Sequence, residues 1–328
     1  MNTAPFVYHR PADEDDASEK AAAGATLLAG GTNLVDMMRL GVMRPNALVD
    51  VSRLPLTRIE ASEEGLSIGA MARNSDVAWH PLVQSGFPVL SEALLSGASP
   101  QLRNLATVGG NLLQRTRCVY FRDVSMTACN KRSPGSGCAA MDGWNRMHAV
   151  LGTSDQCIAS HPSDMCVALA ALDAVVHVRG SKTKRAIPIG DFHTLPGAHP
   201  DVETTLAPGE LVTRVTLPVS RLAKRSRYVK VRDRASYAFA LASCAACLDI
   251  EGGTIRQARI VLGGVSTKPW RSLEAERELA GKKVGPDVFR HAAEAALEGA
   301  RPRKDNAFKV DLAKRVVVRA LTLTAGPS

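Results

Sequence analysis

The sequence predicts an α+β fold in two major parts, and three observations predict it. A short apolar run, Thr26–Ala29, ends on two glycines and opens into a helical pattern, as a small α/β unit does. From about Leu56 the pattern turns to strands broken by Gly turns, which marks a larger β-rich unit. Beyond about Leu222, a further hairpin is followed by three helical stretches. On this reading residues 1–55 form the small α/β subdomain, 56–222 the β-rich subdomain, and 223–328 an α+β C-terminal domain.

Each element has its own signal. The helix after Gly31 carries apolar Leu34, Val35 and Met38 and stops at Gly41, and Ala47–Val51 is the next strand. Arg58–Ala61 and Leu66–Ala70 flank Glu64-Gly65 and read as a hairpin. Asn74 caps a short helix, and Pro88–Ser96 reads as another. Helix resumes over Asp164–Leu172, and strands cover Ala174–Arg179 and Glu210–Pro218. The basic, patternless stretch Leu222–Arg227 marks the boundary between the two parts. Ala240–Ile250 and Thr254–Gly263 make a hairpin, with helices at Ser272–Ala280, Pro286–Leu297 and about Asn306–Thr324.

Composition narrows the function classes. A chain of 328 residues, 45% hydrophobic and 22% charged, can bury sizeable cores. Aromatics at 4% leave packing to Ala, Val and Leu and supply no row of base-stacking rings. The formal charge is +9, yet basic residues are dense only over Arg115–Arg132 and Arg221–Arg234, which argues against the continuous stripe of a nucleic-acid binder. Met1–Lys20 is polar and acidic, and no segment has the apolar length of a membrane span. The chain is therefore expected to carry no export signal of its own, although it can leave the cytoplasm attached to a partner that has one.

Two glycine turns point to a phosphate ligand. Gly30 and Gly31 permit close approach of backbone N–H groups to an anion, and Thr32 and Asn33 then begin a helix. A plain strand-to-helix turn explains the same residues, and no G-x-G-x-x-G occurs there. Thr107-Val108-Gly109-Gly110-Asn111 offers a second such turn, with a hydroxyl and an amide to reach a pyrophosphate or ribityl chain. Asp164 at a helix start can accept from a ribose hydroxyl or simply cap the helix. Lys230, with Arg232 and Arg234, either places positive charge beside a flavin ring or lies solvated on a strand.

Taken in order, A-G-G-T-N, A-T-V-G-G-N, P-S-D and K-V-R-D-R-A-S-Y-A closely resemble the FAD-binding subunits of the xanthine dehydrogenase and aldehyde oxidoreductase (molybdenum hydroxylase) family. Leu262-Gly263-Gly264-Val265 with Lys268-Pro269-Trp270-Arg271 resembles that family's C-terminal domain, so the likeness spans nearly the whole chain. The resemblance implies that Thr26, Leu27, Leu28, Ala29, Gly30, Gly31, Thr32, Asn33 and Leu34 wrap the FAD pyrophosphate, with Thr107, Gly110 and Asn111 assisting. It further implies that Asp164 binds the sugar-like part and that Leu206 and Lys230 lie near the flavin ring. Many relatives carry an acidic residue where Asn33 stands.

Between the second glycine turn and P-S-D stand roughly forty residues, far beyond an ordinary connection. This insert, residues 115–157, holds Cys118, Cys129, Cys138 and Cys157, four of the chain's seven cysteines. Clustered cysteines in a chain this long argue for metal rather than disulfides. Four thiolates suit a [4Fe-4S] cubane, and structural zinc accepts the same set. Arg115, Arg117, Arg122, Lys131, Arg132 and Arg146 crowd the insert, and Gly135 and Gly137 free N–H groups to meet sulfur. The insert resembles the branch typified by periplasmic aldehyde oxidoreductase and benzoyl-CoA-type reductase flavin subunits, more closely the former, and that likeness implies a [4Fe-4S] cluster. Cys166 reads as a small core residue and His148 as a spare ligand; Cys244 and Cys247 look like a redox C-x-x-C, yet their Ala-rich strand more commonly packs such residues as small hydrophobes.

The expected function is electron transfer by FAD and [4Fe-4S] within a molybdenum-dependent aldehyde oxidoreductase. The resemblance implies a molybdenum-cofactor catalytic subunit and a [2Fe-2S] subunit as partners. No catalytic residue is expected on this chain. A self-sufficient flavoenzyme and a non-redox scaffold with a zinc-braced loop are the rival readings.

Overall fold

The computed structural model describes residues 5–326; residues 1–4 and 327–328, the ends of the two expected parts, lie outside it. Three sheets organise the chain. The first is small and parallel: β1 (Val7–His9), β2 (Thr26–Leu28) and β3 (Ala47–Asp50) lie in the order β1-β3-β2. Parallel neighbours need crossover connections. Here the connections carry the helices Glu14–Ala22 and Leu34–Arg39. Neither β1 nor the first helix has a counterpart in the sequence reading, because Glu14–Ala22 is mostly charged and Ala.

The second sheet is antiparallel. It comprises β4 (Ile59–Ser62), β5 (Gly65–Gly69), β6 (Val175–Arg179), β7 (Lys184–Pro188) and β8 (Leu211–Pro218), ordered β4-β5-β8-β6-β7. The expected hairpin closes at Glu64-Gly65, with Ser62 opposite Gly65 and Ile59 opposite Ile68. Everything between Gly69 and Val175, including the cysteine insert, is one long excursion that leaves the sheet from β5 and returns on β6, on the other side of β8. The inner face packs on the helices Pro88–Ser96 and Asp164–Ala171, the latter buried along nearly its whole length.

The third sheet is β9 (Ser226–Val231), β10 (Ala242–Glu251), β11 (Thr254–Gly263) and β12 (Trp270–Arg271), ordered β12-β11-β10-β9. The stretch read as patternless is a short helix, Arg221–Lys224, running straight into β9. Alternation along β10 divides its residues between two cores. Cys244, Ala246 and Leu248 face the three C-terminal helices, whereas Ala245 and Cys247 face the helix Asp164–Ala171. Cys244 and Cys247, both fully buried, therefore point to opposite faces of the sheet and cannot act as a redox C-x-x-C pair. Among the described residues no helix is long and apolar enough to cross a membrane.

Candidate functional site

The two glycine turns meet. A Cβ on Gly30 would lie 1.9 Å from the carbonyl oxygen of Leu105, so this glycine lets the chain leading into the second turn sit against the first. Gly31 takes the left-handed conformation, φ +71°, that swings the backbone into the helix Leu34–Arg39. The strand-to-helix turn that the sequence offers is present, with Gly30 needed by backbone packing and Gly31 by the turn, and Gly31 also lines the cleft described below. Thr107 caps the second turn, its Oγ1 accepting from Gly110 N at 3.2 Å. Asn111 Oδ1 accepts from Gln114 Nε2 at 2.7 Å and from Ser163 Oγ at 2.6 Å.

Asn33 is not a side-chain cap. Its Oδ1 accepts from Arg115 N at 3.1 Å, tying the start of the insert to the first turn, and its buried Nδ2 has no partner among the described residues. The true cap of the Asp164 helix is Ser163, whose Oγ accepts from Cys166 N at 3.1 Å. That releases the Asp164 carboxylate. Oδ1 accepts from the Tyr228 hydroxyl at 2.6 Å and Oδ2 from Lys230 Nζ at 2.7 Å. Burial and the neighbouring carboxylate hold the Tyr228 phenol well above its ordinary value, so it stays a donor.

These pieces line one cleft of about 880 Å³, large enough for a dinucleotide. Gly31, Thr32 and Asn33 stand with Gly110 and Asn111, facing Asp164 and Lys230. Its charge suits a diphosphate. Six cations (Arg39, Arg103, Arg117, Arg122, Lys230 and Arg234) face three carboxylates, Asp36, Asp164 and Asp233. All three carboxylates already have cationic partners, respectively Arg122, Lys230 and Arg146. Asn74, which sequence reasoning treated only as a cap, lines the cleft with an unpartnered buried Oδ1. Leu206 does not reach it; that side chain packs against the main core, where Thr205 N donates to Phe192 O at 3.0 Å.

The four insert cysteines also come together. Cys118, Cys129, Cys138 and Cys157 line one enclosed cavity, although 39 positions separate the first from the last. An isolated bridge pairs Cys129 with Cys138 around a tight loop in which Gly135 and Gly137 have φ of +85° and +92°. Cys157 Sγ accepts from Ala159 N at 3.4 Å. Burial pushes the thiol of Cys118 up to about 12 and that of Cys157 up to about 11, and it raises Cys138 as well. Four thiolates here would need a cation among them, which is what a coordinated metal supplies.

Sequence reasoning gave the insert's cations to the cluster, and the structure spends most of them elsewhere. Arg115 and Lys131 both bind Glu203, at 2.6 and 2.8 Å. Arg132 donates to the carbonyls of Tyr120 and Phe121, locking the short helix Val119–Arg122. The insert is thereby clamped onto the fold by ion pairs and carbonyls. Met37 packs beside Phe121, Cys118 and Cys129, so the helix that begins at the first glycine turn forms one wall of the cysteine centre. Cys166 is fully buried in the core, as expected.

Residues 4–220 match the family described as the FAD binding domain in molybdopterin dehydrogenase, and residues 227–324 the CO dehydrogenase flavoprotein C-terminal domain. The chain belongs to this family of flavin subunits. Consistent with that, it is 48% identical over 96% of its length, and 97% of the relative's, to the aldehyde oxidoreductase FAD-binding subunit PaoB of Escherichia coli. It is 29% identical to the glyceraldehyde dehydrogenase medium chain of Sulfolobus acidocaldarius, over 91% of this chain and 88% of that one. Its fold matches the quinoline 2-oxidoreductase structure from Pseudomonas putida with a TM-score of 0.77 at 26% identity, covering 99% of this flavoprotein and 98% of the other chain. This flavoprotein binds FAD, and the cleft's size, charge and glycine turns fit that cofactor.

Proposed function

We propose that this chain is the FAD- and [4Fe-4S]-containing electron-transfer subunit of a molybdenum-dependent aldehyde oxidoreductase. Its partners would be a molybdenum-cofactor subunit, where aldehyde becomes carboxylic acid, and a [2Fe-2S] subunit. The observation that carries the reading is the gathering of four cysteines around one cavity, one helix away from the FAD cleft. The likeness to PaoB supports the aldehyde oxidoreductase assignment.

The residues divide the work as follows. Thr26–Leu34 brings the first glycine turn to the pyrophosphate, with Thr107, Gly110 and Asn111 on its other side. Lys230 and Tyr228 hold Asp164 in place, so its carboxylate stands fixed at the cleft wall to meet a sugar hydroxyl. Lys230 would lie near the flavin ring with its charge matched by Asp164. FAD, when bound, accepts electrons one at a time and passes on two. Leu206 has no place in this assignment.

The insert's place between the two flavin motifs, matching the branch it resembles, favours iron over zinc. Four cysteine thiolates alone satisfy either metal, so the ligand set does not separate them. A visible spectrum with iron and zinc analysis tests the reading. Flavin absorption and about four irons per chain are expected; colourless protein holding one zinc overturns it.

A further inference from the structure

We propose that His148 is a positioning residue of the cysteine centre: its Nε2–H donates to Cys118 Sγ and raises the reduction potential of the cluster held there. The inference rests on the iron–sulfur reading above and adds a residue to it.

His148 Nε2 lies 3.1 Å from Cys118 Sγ. At that separation one proton must lie between nitrogen and sulfur, since two facing lone pairs repel. A sulfur that ligates iron has given up its proton, so the proton sits on Nε2. The other ring nitrogen, Nδ1, is buried and makes no direct hydrogen bond among the described residues, with the Asn145 carbonyl the nearest backbone acceptor acting on the ring. His148 is also the one side chain hydrogen-bonded to any of the four sulfurs among the described residues.

The imidazole is held on both sides of its backbone. His148 N donates to Asn145 O at 2.9 Å, and its carbonyl accepts from Lys309 Nζ at 3.0 Å. Lys309 is itself fully buried and donates also to the carbonyls of Met147 and Gly264, so the C-terminal helix pins this segment of the insert. His148 is 3% exposed, which leaves the ring little room to swing away. A hydrogen bond to a ligating sulfur in such surroundings draws electron density from the cluster and stabilises its more negative, reduced form.

The bond also sits on a particular side. Cys118 alone of the four cysteines lines a chamber of about 290 Å³, walled by His148, Val119, Trp144 and Phe239. That chamber shares Arg117, Pro162, Asp164 and Phe239 with the FAD cleft. His148 therefore acts on the sulfur that lines the chamber adjoining the FAD cleft.

The test uses the intact complex with its partner subunits. His148→Phe removes the donor and keeps a ring of similar size; His148→Gln returns an N–H donor. Iron and FAD content are measured alongside an EPR-monitored redox titration of the cluster. With iron and FAD retained, His148→Phe is expected to shift the one-electron reduction equilibrium about tenfold toward the oxidised form, about 59 mV. His148→Gln recovers most of that shift. Pulsed EPR on the wild-type complex carrying ¹⁵N-histidine is expected to show one weak nitrogen coupling lost in His148→Gln, a measurement that stands even where the Phe variant loses its iron. An unchanged potential in an iron-replete His148→Phe, the absence of that coupling, or a strong coupling of iron-bound nitrogen overturns the proposal. Wild-type complex without iron defeats the iron–sulfur reading itself.

Discussion

Lys230 and Asp164, 66 positions apart in sequence, form an ion pair 2.7 Å long whose side chains are 3% and 10% exposed. It joins β9 to the helix that follows P-S-D, and both residues face the FAD cleft. Replacing Lys230 by Met strands a buried carboxylate, with only Tyr228 to hold it. We expect a loss of about 3–5 kcal/mol in stability and weaker flavin retention. Chemical denaturation and flavin fluorescence after desalting measure both; wild-type values in each would remove Lys230 from the site.

Gly30 has no room for a side chain. Gly30→Ala sets a Cβ 1.9 Å from a backbone carbonyl, and overpacking of this kind costs about 1–3 kcal/mol. The two glycine turns should separate and FAD affinity should fall. Gly31→Ala pays instead for a positive φ, about 1–2 kcal/mol. Isothermal titration of deflavinated variants with FAD separates the turn's geometry from overall stability.

The seven cysteines should sort cleanly. Ser at Cys118, Cys129, Cys138 or Cys157 should abolish or sharply reduce iron while leaving flavin in place. Ala at Cys166, Cys244 or Cys247 should keep iron and cost about 1 kcal/mol or more through the small cavity left in a core. Iron loss in the Cys244 or Cys247 variants, with the quartet variants unaffected, would refute the ligand set.

Glu203 gives the insert an acid-sensitive anchor. Burial raises its carboxyl, but Lys131 and Arg115 outweigh that and hold it below its ordinary value. The unfolded chain therefore takes up the proton first on acidification. The stabilisation is fully present above the ordinary Glu value of 4.5 and is lost as pH falls through the lower folded value. Its side chain is still 27% exposed, so we place the contribution at about 1–2 kcal/mol, between a surface pair and a buried one. Glu203→Gln should flatten that part of the stability profile; an unchanged acid limb in a urea series would show that the clamp does not matter.

The local signals are legible in the sequence itself. Gly-Gly turns between a strand and a helix, the hairpin at Glu64-Gly65 and the C-terminal helices all follow from neighbouring residues. The four clustered cysteines stand out because the insert lacks any apolar period of its own. Charged or Ala-rich elements such as Glu14–Ala22 give no such period and escape a reading of the sequence. The strand at Lys230 is offered by the sequence only with a solvated side chain, because the carboxylate that buries this cation is met only across the fold.

Which atoms each candidate residue touches is a different matter. Asp164 reads as a cap until Ser163 takes that role, and Leu206 reads as a neighbour of the ring until it packs into the core. The insert's cations bind Glu203, backbone carbonyls and Asp36 rather than sulfur, and His148 is placed to donate to Cys118 rather than replace it. Short-range backbone preference and burial period set the elements, and these act over a few residues. Charge pairing and hydrogen bonding act between residues that only the packed sheets bring within 3 Å or so, and those contacts decided the site.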